Sequence, residues 1–158
     1  MTLDEVLTKV VDRLDGQVAA EADIARLRAE ILAPVLPNWL ASLMRRYRLV
    51  GSRMSLAEHV DESAIGVELL WLSPRQMISE ALEAEPGISV CRLGFWPLGA
   101  CASGSGDPYF LDLRDKIATD PPLVRVRHDL AGRSAYPPEG LEQVASSLSM
   151  FLQRAFSV

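Results

Sequence analysis

Cysteine, histidine and basic side chains are all in short supply in this chain, and each shortage removes a class of function. Two cysteines, Cys91 and Cys101, in 158 residues make neither a disulfide framework nor a cysteine zinc set. The two histidines, His59 and His128, lie in neither an HExxH nor a facial-ligand spacing. No Ser-His-Asp order and no nucleophile elbow is present. Residues 104–107, GSGD, lack the Lys-Ser/Thr pair of a phosphate loop, and Pro108 and a strand follow where a helix should begin, so they read as a turn. Sixteen bases against 21 acids leave a net charge of −5, the wrong balance for a general binder of phosphate backbones. Long apolar runs are missing too. The uncharged stretch from Leu93 to Gly106 has 14 residues, below the roughly 20 of a spanning helix. The opening MTLDEVLTK has acids where a secretion signal has bases. The expectation is a reduced, cytoplasmic chain with no cofactor, no metal, no nucleic acid and no membrane.

What is present suffices for one domain. Hydrophobic residues make up 49% of the chain and charged residues 23%, which excludes a disordered polymer. Thr2 and Glu5 form a capping-box pattern before Leu3, Val6, Leu7, Val10 and Leu14, predicting a helix over 2–14. Further helices are predicted over 18–32, 37–49 (Pro37 in its first turn), 74–84 (after Ser73-Pro74) and about 146–155. Arg45, Arg46 and Arg48 are either a basic patch or a solvated helix face. The period shortens after Gly87. Strands are predicted over 67–72, 88–93, 95–100, 109–113 and 123–128, the last with Val124 and Val126 inward and Arg125 and Arg127 on a solvated face. Residues 51–64 read as a loop or irregular helix, and 129–140 as a loop. Strands joined by short turns and flanked by helices predict an α+β domain around a mostly antiparallel sheet. Trp39, Leu43, Tyr47, Trp71, Phe110, Leu111, Phe151 and Leu152 are expected to supply much of the core or line its edge, with one of Tyr109 and Phe110 facing the helices and the other free to be exposed.

Acids are the more suggestive feature. Residues 54–91 contain seven acids and one base, and Asp107, Asp112, Asp115, Asp120 and Asp129 punctuate the later strands. They are either solvated turns or a negative surface for a basic protein. Three groups are candidate partner-binding anchors: Asp107, in the turn from Gly99; Asp129 and Tyr136, in the proline-stiffened loop from Asp129 to Gly140; and Glu58, Asp61 and Glu62. Tyr136 is the leading one, a rigid amphipathic ring of the kind enriched at hot spots, unless it folds back over the sheet edge.

Four separated stretches resemble, in order, the SMI1/KNR4 (SUKH) superfamily. LPNWLASLMRRYRLVG, residues 36–51, is similar to its Leu-Pro helix, and LGFWPLGACASGSGDPYFLDL, residues 93–113, to its strand, glycine turn, Gly-Asp and aromatic strand. PPLVRVRHD, residues 121–129, is similar to the strand entering a His-acid pair, and VASSLSMFLQRA, residues 144–155, to its closing Ser-x-x-x-Phe-Leu helix. The resemblance implies an SMI1/KNR4-like α+β domain over 34–158, with residues 1–33 as a helical lead packed on it. It further implies a non-enzymatic, protein-binding function. Many bacterial members are immunity proteins that neutralise toxins, here with a basic toxin domain as the expected partner. The alternatives are a regulatory scaffold without a toxin, and a metal-dependent enzyme using His59, His128 and nearby acids.

Overall fold

The computed structural model describes residues 1–104, 106–132 and 135–158. Helix α1 (Leu3–Val10) opens on the expected capping box: Glu5 N–H donates to the Thr2 hydroxyl at 3.3 Å and Thr2 N–H donates to the Glu5 carboxylate at 2.6 Å. It buries Leu3, Val6, Leu7 and Val10. Helix α2 (Glu21–Glu30) buries Ile24 and Leu27, and α3 (Asn38–Arg46) buries Leu40, Ala41, Leu43 and Met44. Pro37 is the residue before α3, not inside its first turn. Two of the three neighbouring arginines are tied down. Arg45 binds Glu21 in bidentate fashion at 2.7 and 2.8 Å, and Arg46 grips Asp4, so these exposed pairs tether α3 to α2 and α1.

Six strands follow: β1 (Arg53–Leu56), β2 (Val67–Trp71), β3 (Phe95–Cys101), β4 (Tyr109–Asp112), β5 (Leu123–Val126) and β6 (Leu141–Ala145). They form one antiparallel sheet in chain order, β1 to β6. Helices α4 (Pro74–Leu82) and α5 (Gly87–Cys91) intervene between β2 and β3 and pack on β3. Helix α6 (Leu148–Phe156) touches both outer strands, β1 and β6, and also α1. The sheet is therefore curved. Glu62, in the β1–β2 connection, donates its N–H to the Val144 carbonyl of β6 at 3.1 Å, bridging the two edges.

Residues 1–33 share the core of the rest. A continuous hydrophobic cluster includes Leu3 and Phe156, α1 packs on α6 and α2 on α4, and Gln17 pairs with Val50. No helix among the described residues is long and apolar enough to cross a membrane.

Several expectations need correcting. Residues 88–93 are not a strand, because 87–91 form α5. Ile88 and Val90 alternate with polar residues, yet the segment is drawn onto α4: Gly87 lies so close to the Glu80 carbonyl that a Cβ has no room. The Glu85 carboxylate accepts from both the N–H and the hydroxyl of Ser89. Within 51–64 lies β1, whose Met54 and Leu56 point inward while Arg53 and Ser55 point out. Strand β6 completes the sheet beyond the predicted loop. Tyr109 and Phe110 are both buried, at 2% and 0% exposure, because β4 is an interior strand with both faces covered. Arg125 is buried as well, so β5 has no solvated face. The expected core residues do form it: Trp39 packs half-buried at its edge and the others are buried.

Candidate partner-binding surfaces

An antiparallel meander sends alternate connections to opposite ends of its sheet. Connections β1–β2 (57–66), β3–β4 (102–108) and β5–β6 (127–140) therefore leave at one end, and they contain all six candidate anchors. The structure gathers them into one region, but it commits most of them to neighbours within the chain.

Asp61 is the most committed. Its carboxylate accepts from Ser63 N–H at 2.9 Å, the Ser63 hydroxyl at 2.7 Å, Gly66 N–H at 2.9 Å and Arg125 at 3.3 Å. Burial alone would raise its pKa. The two Ser63 hydrogen bonds and the Arg125 charge outweigh that and hold the carboxyl below its ordinary value. Arg125 also donates to Ser63 Oγ at 2.6 Å, to Glu142 at 3.3 Å and to the Gly66 carbonyl, and it lies over the Tyr109 ring. Glu62 accepts from Gln143 at 2.7 Å, from Ser146 N–H at 3.1 Å and from Arg154 at 3.5 Å. Glu58 is exposed.

Asp107 accepts from His128 N–H at 3.0 Å and meets its ring Nδ1 at 2.6 Å. The neighbouring glycines, Gly104 and Gly106, have φ of +84° and +83°, the backbone that the turn reading required, while Ser105 lies outside the described residues. Arg127 and Asp129 pair through two hydrogen bonds at 2.7 and 3.2 Å, and that pairing holds the Asp129 carboxyl below its ordinary value. His59 sits in the β1–β2 connection and His128 in the β5–β6 connection, and among the described residues no group of three or more His, Cys, Asp or Glu is placed to hold a metal ion.

Tyr136 takes the fold-back position. It is 9% exposed, and its hydroxyl donates to the Arg127 carbonyl at 2.6 Å and the Gly140 carbonyl at 3.2 Å. Burial, reinforced by Asp107 and Asp129, pushes its pKa up to about 12. The ring occupies the space where Gly140 would carry a Cβ. Tyr136→Ala is expected to cost roughly 2–4 kcal/mol and Tyr136→Phe about 1 kcal/mol in urea melts. Melts that superimpose on the parent would return this ring to the list of docking anchors.

The opposite end of the sheet has a feature that pattern reading missed. A groove of about 700 Å³ runs between the α2–α3 connection with the first residue of α3 (32–38), the end of α5 with the turn before β3 (91–94) and the segment after β4 (113–118). Leu113 N–H donates to the Gly94 carbonyl at 2.9 Å and joins two of these walls. Arg114 reinforces the corner: it lies 4.9 Å from the Phe95 ring centroid and pairs with Asp112 at 2.7 and 2.9 Å. Four large aliphatic residues here face water: Leu32 (74% exposed), Val35 (75%), Leu93 (48%) and, between lining residues 116 and 118, Ile117 (90%). Buried Cys91 forms part of the lining. Its thiol is pushed up to about 12 by burial, then by the Glu80 charge, so it is not a nucleophile at neutral pH. No family model, curated protein or solved structure matches this chain. The four aliphatics come from three distant segments and share no period, so only the folded chain brings them together.

Among the described residues, neither end presents a nucleophile hydrogen-bonded to a base in turn held by a third group. The His128–Asp107 pair is a base with its orienting carboxylate, and its hydrogen bonds tie the β5–β6 connection to the β3–β4 turn. The groove sets exposed aliphatic side chains beside Arg92, Arg114 and Lys116.

Proposed function

We propose that this chain is a non-enzymatic, protein-binding domain of the SMI1/KNR4 type that acts as an immunity protein, capturing a bacterial toxin. The observation that carries the reading is the groove, with the solvated aliphatic residues Leu32, Val35 and Leu93 in its lining at one end of the sheet. Contiguous apolar surface of this kind is uncommon on a monomer unless something binds there. The placement of the resemblance adds support, since its four stretches fall on α3, on the β3–β4 hairpin, on β5, and on β6 with α6.

The test is capture followed by a toxicity assay. The tagged chain is used to isolate its partner from the native organism, and the partner is then expressed in a naive bacterium with and without the chain. Growth arrest by the partner alone, relieved by co-expression, is the expected result. A harmless partner overturns the immunity reading in favour of a regulatory scaffold. A chain that captures nothing at micromolar concentration overturns protein binding altogether.

A further inference from the structure

Both ends of the sheet are polar at their rims, yet they differ in sign and in freedom. At the candidate-anchor end, Asp61, Glu62, Asp107 and Asp129 are engaged with Arg125, Arg154, His128 and Arg127. A basic partner would have to displace those contacts. The groove is lined by three bases, Arg92, Arg114 and Lys116, and by one acid, Asp115. Arg114 is held by Asp112, but among the described residues Arg92 and Lys116 form no ion pair and both are exposed. In a protein of net charge −5 this is a local reversal of sign, placed beside exposed aliphatic side chains.

We infer that the groove between 32–38, 91–94 and 113–118 receives an acidic, aliphatic segment of the partner protein. Its apolar side chains lie against Leu32, Val35 and Leu93, and its carboxylates meet Arg92 and Lys116. The inference rests on the protein-binding reading above and gives that surface a chemistry. Apolar contact supplies affinity and the two cations select sign and register. With screening over about 8 Å, a bound segment responds chiefly to the groove's own lining, three bases to one acid. A second copy of this chain fits poorly, since a two-fold contact places the same patch on both sides and brings like charges together. A single-tailed fatty carboxylate fits poorly as well, because a chain bound along Leu32 and Val35 stays wet, whereas small-molecule sites enclose most of their ligand.

The probe is a pair of labelled peptides with leucines at helical spacing, identical except that the flanking positions are glutamate in one and lysine in the other. Fluorescence anisotropy should show the glutamate peptide binding at least about tenfold tighter. Arg92→Glu/Lys116→Glu should invert that preference, and Leu32→Ser/Val35→Ser should weaken both peptides by about tenfold or more. All four side chains are exposed, so thermal melts of the variants should match the parent. Equal affinity for the two peptides overturns the inference, as does a preference untouched by the charge reversal, displacement of the peptide by decanoate, or a dimer that Leu32→Ser dissolves. If a captured toxin is still neutralised by Arg92→Glu/Lys116→Glu, the groove assignment falls and immunity stands. If the peptides behave as expected but the captured partner is harmless, immunity falls and the groove stands.

Discussion

Arg125→Ala is expected to lower stability by about 3–5 kcal/mol, measured by urea denaturation at pH 7, without altering the fold of the molecules that remain native. The guanidinium is almost wholly buried, and its partner Asp61 is buried with it. Removing the cation leaves the Asp61 charge uncompensated inside the protein and takes a donor from the Gly66 carbonyl and from Ser63 Oγ. That stranded charge, more than the loss of attraction, is the source of the cost. The pH dependence distinguishes this account from simple cavity formation. In the parent, the Asp61 pKa is depressed, so its stabilising contribution is complete above the unfolded value near 3.9 and disappears as pH falls through the folded value. Without Arg125 the folded pKa of Asp61 rises, so the variant gives up less on acidification. The gap between parent and variant should therefore narrow from pH 7 toward pH 3. Asp61→Asn/Arg125→Met should lose less than the sum of the two single changes, since neither charge is left alone. A gap that is independent of pH, or below about 1 kcal/mol, would sink the account.

The same arginine shows where sequence reading stops. Val124-Arg125-Val126-Arg127 alternates as a half-solvated strand does, and Arg127 is indeed on the outside with Asp129. Arg125 is inside because the β1–β2 connection, 59 to 64 residues away in the chain, brings Asp61, Ser63 and Gly66 to it. Local patterning has no access to such a partner. Elements whose signal is local were readable: the Thr2–Glu5 capping box forms, and α4 opens on Ser73 as its N-cap with Pro74 in its first turn. The failure at 88–93 is of the opposite kind. Pro86-Gly87 carries the punctuation of a helix end, but Gly87 serves close packing of α5 on α4, and that use of glycine looks identical in a sequence. Strand β6 escaped because Leu141, Val144 and Ala145 do not alternate evenly, and the register shift opposite Leu123 and Val124 explains why. The candidate anchors were legible only as three separate groups, and it is the meander order, which sends alternate connections to one end of the sheet, that brings them into one region. The groove was not found, because nothing in Leu32, Val35, Leu93 or Ile117 announces that the three segments meet.

Phe151→Ala should cost about 3–5 kcal/mol, the other large effect expected for this chain. Helix α6 is the element that a curved sheet needs, since it reaches β1 at one edge and β6 at the other while α1 packs against it. Phe151 is fully buried on that helix, beside Leu148 and Leu152 in sequence and burial. The helix is fixed at its start by two independent devices. Ser147 caps it by accepting from Met150 N–H at 3.1 Å, and Asp120 accepts from Ser149 N–H at 2.8 Å. With its first turn held in place, α6 cannot slide to fill the space a missing ring leaves, so the cavity persists and its full penalty is felt. Met150, half-buried on the same helix, provides the internal comparison: Met150→Ala should cost about 1 kcal/mol, since fewer atoms lose their packing. The denaturant dependence of the folding free energy should stay at the parent value for both variants, because the surface exposed on unfolding is unchanged. A Phe151→Ala loss under about 1 kcal/mol would mean that α6 is a peripheral cover and that the curvature of the sheet is maintained by its strands and by the Glu62 bridge alone.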